Sequence, residues 1–340
     1  MLFRSGLALG ILLLALPALA GKLSDGVAAY EAGDYSKAVE ILRPLAQEGK
    51  RQAQTYMGLM YFEGRGVAQD HVEAIRWLRQ AAERGDEVAQ YHLGIAYRDG
   101  QGVSQNAAEA FKWFEKAANQ DHAKAQANVG YFYAVGQGVS KNEAEAFKWF
   151  RKSAEKNEPY AQDKLGVAYR DGSGIDKDER EAVRWFRKAA EQGYAEAQAN
   201  LGGMYAFGRG VAKDASEAQK WFLKAANQGI AWAQNNAGIA YRDGTGAQKD
   251  DSEAVKWFRK AAEQGYAEAQ GNLGGMYRDG RGIERDYVEA LTWYRKAAEQ
   301  GVTWAQVRLA MMLFQGQGTD RKSTRLNSSH MSESRMPSSA

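Results

Sequence analysis

The chain has 340 residues, 26% of them charged and 44% hydrophobic, and no cysteine, which excludes disulfides, thiolate metal sites and a cysteine nucleophile. One of its 45 basic residues lies in residues 1–20 and four in residues 320–340, together with two of the 42 acidic ones, so the net charge of +3 belongs to the ends and 40 residues of each sign remain between them. That balance gives no electrostatic case for nucleic acid or anionic membranes as partners, while nine tryptophans and 17 tyrosines exclude disorder over most of the length.

In chain order, the first element is a targeting segment. Arg4 precedes an apolar run from Leu7 to Leu16, and Ala18-Leu19-Ala20 supplies a small-x-small cleavage site. This predicts a signal peptide over residues 1–20, removed before Gly21. The run is shorter than the roughly 20 residues that span a bilayer. The expected mature protein is periplasmic or secreted, bacterial, and not inserted in a membrane. Residues 21–50, with GVAAYEAGDYSKAVEILRPLAQEG at 26–49, predict a helical hairpin that acts as an N-terminal cap.

From residue 51 to 301 the chain repeats itself. Trp77, Trp113, Trp149, Trp185, Trp221, Trp257 and Trp293 stand 36 residues apart, and the tyrosines from Tyr61 to Tyr277 and the glycines from Gly58 to Gly274 keep the same interval. A strict period of this size marks a solenoid, in which each unit is too small to bury its own apolar face. In the unit beginning at Ala195, Ala197, Leu201 and Tyr205 form one stripe of an amphipathic helix, which Gly208-Arg209-Gly210 ends. Asp214 or Ser216 caps a second helix, whose apolar face is Ala218, Trp221, Phe222, Ala225 and Ala226. Gly202 sits mid-helix at a cost of about 1 kcal/mol relative to alanine, which predicts that no Cβ fits there and that the tryptophan fills the gap. Seven such units precede a truncated eighth over 302–319. The expected fold is an all-α, right-handed superhelical solenoid of helix-turn-helix repeats.

The frame resembles the Sel1-like repeat family, relatives of tetratricopeptide repeats. The matching residues in the first unit are Ala53-Gln54, Gly58, Tyr61, Gly64, Gly66, Val67, Asp70, Ala74, Trp77, Ala81, Ala82 and Gly85. Residues 26–49 look more like a tetratricopeptide hairpin. Some secreted members carry a disulfide in each repeat; this chain holds no cysteine and must rely on packing. The resemblance implies a non-enzymatic scaffold whose first helices line a concave groove. Residues 320–340, DRKSTRLNSSHMSESRMPSSA, have no helical period and resemble a translated sequencing-library adapter, so they are expected to be non-native, with the natural C-terminus lying beyond residue 318.

Motifs for chemistry are weak. Gly-x-Gly follows a helix rather than a strand and lacks a Gly-Lys-Ser ending, so it reads as a turn, not a phosphate loop. The run Asp171 to Asp178 has Ile175 where a calcium loop needs an oxygen ligand. His71, His92 and His122 fall in different units without metal-ligand spacing and are expected at the surface. Ser153-Ala154-Glu155-Lys156 fits the Ser-x-x-Lys pattern of penicillin-recognising enzymes, and some family members are linked to penicillin binding, but no Lys-Thr-Gly element accompanies it. No catalytic residue, cofactor or metal is expected. The alternatives are a cell-wall enzyme built on Ser153, or the repeat portion of a longer protein with a separate effector domain.

Positions that the frame leaves unused on the first helices define a candidate partner-binding groove. One row carries Tyr160, Trp232 and Trp304; the last two are the tryptophans outside the 36-residue ladder. A second carries Asn128, Lys164, Asn200, Asn236, Asn272 and Arg308, and a third is apolar, with Tyr131 and Val167 among its members. Aromatic anchors beside an amide ladder suit protein or peptide recognition. In a fourth row Asp99, Asp171 and Asp243 alternate with Val135 and Phe207 until Asp279 breaks the alternation, and each aspartate follows an arginine, which raises recognition of cationic side chains against a plain duplication of a two-repeat block.

Overall fold

The structure, a computed structural model, describes residues 21–319; the expected signal peptide and the expected non-native segment 320–340 lie outside the described residues. The chain divides into two compact units, the first ending at Lys177 and the second beginning at Asp178. Among the described residues every regular element is a helix.

The first unit contains α1 (21–31), α2 (Tyr35–Gln47), α3 (Arg51–Glu63), α4 (His71–Ala82), α5 (Glu87–Asp99), α6 (Ala107–Ala118), α7 (Ala123–Val135), α8 (Glu143–Glu155) and α9 (Pro159–Asp171). The second contains α10 (Glu179–Glu191), α11 (Ala195–Phe207), α12 (Ala215–Asn227), α13 (Ala231–Asp243), α14 (Asp251–Glu263), α15 (Ala267–Asp279), α16 (Tyr287–Glu299) and α17 (Thr303–Phe314). Within each unit, consecutive helices pack as hairpins and each hairpin packs on the next. The all-α helix-turn-helix stack expected from the period is what each unit contains.

Local chemistry sets the helix ends. Each odd-numbered helix from α3 to α15 stops at a left-handed glycine, as at Gly100 with φ of 72°. The second glycine of the Gly-x-Gly pair is also left-handed and lies against the preceding repeat: a Cβ on Gly66 would stand 2.6 Å from the Tyr35 carbonyl oxygen. Both glycines are thus required by the turn and by close backbone approach. Even-numbered helices begin at Asp or Asn. Asp214 Oδ1 accepts from Ser216 N and Glu217 N at 2.9 Å, so Asp214 rather than Ser216 is the cap.

The glycine in the middle of each first helix does lack room for a Cβ, but tryptophan is not what fills the space. A Cβ on Gly94 would meet Phe114 at 2.5 Å, and one on Gly238 would meet Phe258 at 2.7 Å. Phe114 and Phe258 are fully buried. The tryptophan one position earlier points elsewhere: Trp113 packs, half-buried, on the core of Leu78, Leu93 and Ala96 contributed by the preceding repeat and its own. Its outer face carries Lys116, whose Nζ lies 3.8 Å from the ring centroid. Neighbouring side chains on one helix therefore divide the work: phenylalanine closes the hairpin and tryptophan joins it to its neighbour.

A second joint comes from the buried glutamine of the Ala-Gln pair. Gln234 Nε2 donates to the Ala226 carbonyl at 3.1 Å, while its Oε1 accepts from Gln264 Nε2 at 2.7 Å. Gln90 and Gln270 do the same with Ala82 and Gln120, and with Ala262 and Gln300. The glutamine adds a second donor to a helix-end carbonyl that already accepts from the backbone, as Ala226 does from Gly229 N at 3.1 Å.

Candidate functional site

The predicted groove residues all stand on first helices, and packing treats them unequally. On α9, Tyr160 meets Phe150 edge-on with ring centroids 6.2 Å apart, and burial raises its phenol above the usual range. Lys164, one turn on, reaches Asp163 Oδ2 at 3.1 Å and lies 5.2 Å from the Tyr160 ring centroid. Trp232 on α13 lies over Gly203 and meets Phe222 edge-on at 5.3 Å. Trp304 on α17 covers Gly271 in the same way but keeps 43% of its surface exposed. The two off-ladder tryptophans thus bridge consecutive first helices, with glycine beneath each ring.

The amide row is less open than its composition suggests. Asn128 Nδ2 donates to the Lys124 carbonyl at 2.8 Å, and its Oδ1 accepts from Arg98 Nη1 at 3.1 Å. Asn236 Nδ2 donates to the Trp232 carbonyl at 2.8 Å. Asn272 donates to Asn235 Oδ1 at 2.9 Å and accepts from Arg242 Nη1 at 3.0 Å. Asn200 is half-buried on α11, and Arg308 is exposed on α17. At least part of the row therefore ties first helices together.

The aspartates of the fourth row are engaged too. Asp99 accepts from Arg98 Nε and Nη2 at 2.7 and 2.8 Å, and Asp243 and Asp279 pair in the same bidentate way with Arg242 and Arg278. The arginine's hydrogen bonds hold the Asp99, Asp243 and Asp279 carboxyls below the usual range. A carboxylate already clamped by its neighbour is poorly placed to recognise an incoming cation, so that expectation loses its basis.

Between α7, α8 and α9 the same rows enclose an open cavity of about 270 Å³. Tyr131, Val135, Phe147, Tyr160 and Val167 give it apolar walls, with Lys164 at its margin. Val135 is 50% exposed and Tyr131 38%. Here an aromatic of the first row, an apolar pair of the third and a valine of the fourth converge from two consecutive repeats.

Comparison with known proteins reads the scaffold directly. The Sel1 repeat model matches residues 51–86, 88–122, 123–158, 159–194, 195–230, 233–266, 267–302 and 305–325. The chain belongs to the Sel1 repeat family. A Sel1 repeat protein from Oxalobacter formigenes is 32% identical with a TM-score of 0.64, over 87% of this chain and 90% of that one. A protective antigen present in uropathogenic Escherichia coli strains is 34% identical with a TM-score of 0.55, over 90% of this chain and 74% of that one. No curated protein matches the chain.

Within this Sel1 repeat protein the residues suggestive of chemistry have structural work. Ser153 is fully buried, and its hydroxyl donates to the Ala123 carbonyl at 2.8 Å. A hydroxyl so enclosed joins the two helices of one repeat and does not face a substrate. The histidines differ from the surface placement expected of them. His71, His92 and His122 form a half-buried seam with Phe62 and Tyr91, with ring centroids 4.6 to 6.0 Å apart. Burial, with His122 and Lys124 nearby, pushes the His92 imidazole down to about 4. His122 Nδ1 accepts from Ala125 N at 3.1 Å and so caps α7. Among the described residues, no cluster of His, Asp or Glu has metal-binding geometry, and no helix is long and apolar enough to cross a membrane.

The glutamine joint and the phenylalanine-glycine contact are the features that sequence reasoning passed over. Both had a signal: glutamine and an aromatic, leucine or tyrosine recur at the 36-residue interval as faithfully as tryptophan does.

Proposed function

We propose that this Sel1 repeat scaffold works outside the cytoplasm, in the periplasm or after secretion, and binds a protein or peptide along the exposed face of its first helices. The cavity between α7, α8 and α9 carries this reading. Its volume, about 270 Å³, suits one large apolar side chain of an extended segment, and Tyr131, Val135, Tyr160 and Val167 in its walls come from rows that the repeat frame does not need. Interface energy concentrates in anchors of this kind, seated in pockets and rimmed by near-neutral contacts. Lys164 at the margin offers a donor to the backbone or side chain flanking the anchor. The signal-like residues 1–20 support export, and a related protein that acts as a protective antigen fits an exposed location.

The test is site-specific photocrosslinking in the producing bacterium. A photoreactive residue at Val135 should yield discrete adducts with a partner, while the same residue at Lys148, exposed on α8, should yield none. Adducts at Lys148 alone would move the interface to the second helices. N-terminal sequencing of the protein recovered from the periplasm should begin at Gly21; recovery only from the cytoplasm with Met1 intact would remove the export reading.

A further inference from the structure

We propose, resting on the reading that the first-helix face binds peptide, that a notch between α15 and α17 in the second unit takes the carboxylate of an acidic peptide segment. The observation is a broken repeat. Arg98 Nη1 donates to Asn128 Oδ1 at 3.1 Å, and Arg242 Nη1 donates to Asn272 Oδ1 at 3.0 Å; in both, arginine and asparagine are 30 residues apart. Arg278 repeats the arginine, with Asp279 bound to its Nε and Nη2 at 2.6 and 2.8 Å. Thirty residues on, however, stands Arg308, a second cation where the frame elsewhere supplies an amide oxygen. Among the described residues, Arg278 Nη1 has no acceptor and the Arg308 guanidinium has no hydrogen bond or ion pair.

The surroundings are a cavity of about 350 Å³ lined by four arginines, Arg242, Arg278, Arg281 and Arg308, by the carboxylates Asp243 and Asp279, and by Trp304. Asp243 offsets Arg242, Asp279 offsets Arg278, and Asp251 accepts from Arg281 Nε and Nη2 at 3.2 and 2.7 Å. Arg308 feels Asp279 only at a distance, since both oxygens of that carboxylate are spent on Arg278, and is the charge left over. Two guanidinium groups facing one cavity with donors to spare repel each other unless an anion stands between them, and a carboxylate is the anion whose geometry matches their forks. It would accept from Arg278 Nη1 and from Arg308, standing in for the asparagine oxygen of the earlier repeats. The exposed Trp304 ring in the same wall gives the side-chain methylenes of a glutamate an apolar surface.

The experiment is calorimetric titration of the intact protein with an acetylated, amidated hexaglutamate peptide at low salt, with hexaglutamine and inorganic phosphate as separate arms. Saturable binding of hexaglutamate alone is expected, weakening as salt is raised. Arg308→Asn, which restores the residue of the earlier repeats, should weaken it at least tenfold with an unchanged urea midpoint, and Arg308→Lys should fall between the two. Equal binding by wild type and Arg308→Asn would overturn the proposal, as would no hexaglutamate binding, or saturable phosphate binding in its place. Val135→Arg, in the other unit, separates the two readings. It should abolish partner capture yet leave hexaglutamate binding intact, so loss of the peptide titration alone removes the notch and not the scaffold's binding face.

Discussion

Phe114 and Trp113 are adjacent aromatics on α6, and their two positions recur every 36 residues, the first as phenylalanine, leucine or tyrosine, yet they do different things. Phe114 is fully buried against Gly94, whereas Trp113 is half-buried with a lysine on its outer face. Phe114→Ala should therefore cost about 3–5 kcal/mol, as large core truncations do, and Trp113→Ala clearly less. Paired urea denaturations measure this, and a larger loss for Trp113 would return the tryptophan to the centre of the hairpin. His92 makes a second prediction. Its imidazole is held at about 4 by burial first, then by His122 and Lys124, against roughly 6.5 in an unfolded chain. Between those values the unfolded chain binds a proton that the folded one refuses, so stability falls as pH drops from about 6.5 to about 4 and levels off below. The clamped carboxyl of Asp99 loses its contribution at lower pH, from the ordinary aspartate value downwards. His92→Asn, which installs the residue found at Asn128, should flatten the slope between pH 7 and pH 4.5. Equal losses for variant and wild type over that interval would contradict it.

At the scale of the element, helix ends were legible and helix joints were not. Glycine after a periodic stripe, and aspartate or asparagine ahead of one, are local signals, and the observed caps fall on Gly100, Gly208, Asp214 and their equivalents. The joints depend on which of two neighbouring side chains turns toward the previous hairpin, and a helical period near 100° per residue does not separate adjacent positions well enough to decide that. The same limit hid the glutamine: a polar residue beside alanine reads as solvated until the preceding carbonyl is seen eight residues away. Asp250→Ala should cost about 0.5–2 kcal/mol through loss of the α14 cap. Gln234→Leu keeps the volume but removes two hydrogen bonds, to the Ala226 carbonyl and from Gln264 Nε2, so at the usual net worth of each it should cost about 1–3 kcal/mol. Chemical denaturation of both checks this. A neutral Gln234→Leu would show that the glutamine joint contributes nothing net.

For the molecule as a whole, the 36-residue interval carried the fold because every unit repeats the same burial problem and solves it against its neighbour. The binding face was legible only as a set of positions. Which of them open into a cavity depends on how α7, α8 and α9 pack, and which are consumed by the scaffold depends on pairs 30 residues apart. Trp232 illustrates the second case: off the ladder and expected as an exposed anchor, it is half-buried over Gly203 and against Phe222, so its truncation would report packing as well as binding. Val135 is the cleaner probe, being half exposed at the cavity rim. The decisive measurement is the affinity of the crosslinked partner, once purified, for wild type and for Val135→Arg, with Lys148→Glu on the second helices as control. Filling the cavity with a charged side chain should weaken binding thirtyfold or more, roughly the 2 kcal/mol of an interface hot spot, and leave the thermal melt within error. Equal affinity for wild type and Val135→Arg, with binding lost instead in Lys148→Glu, would place recognition on the opposite helices and contradict the proposal.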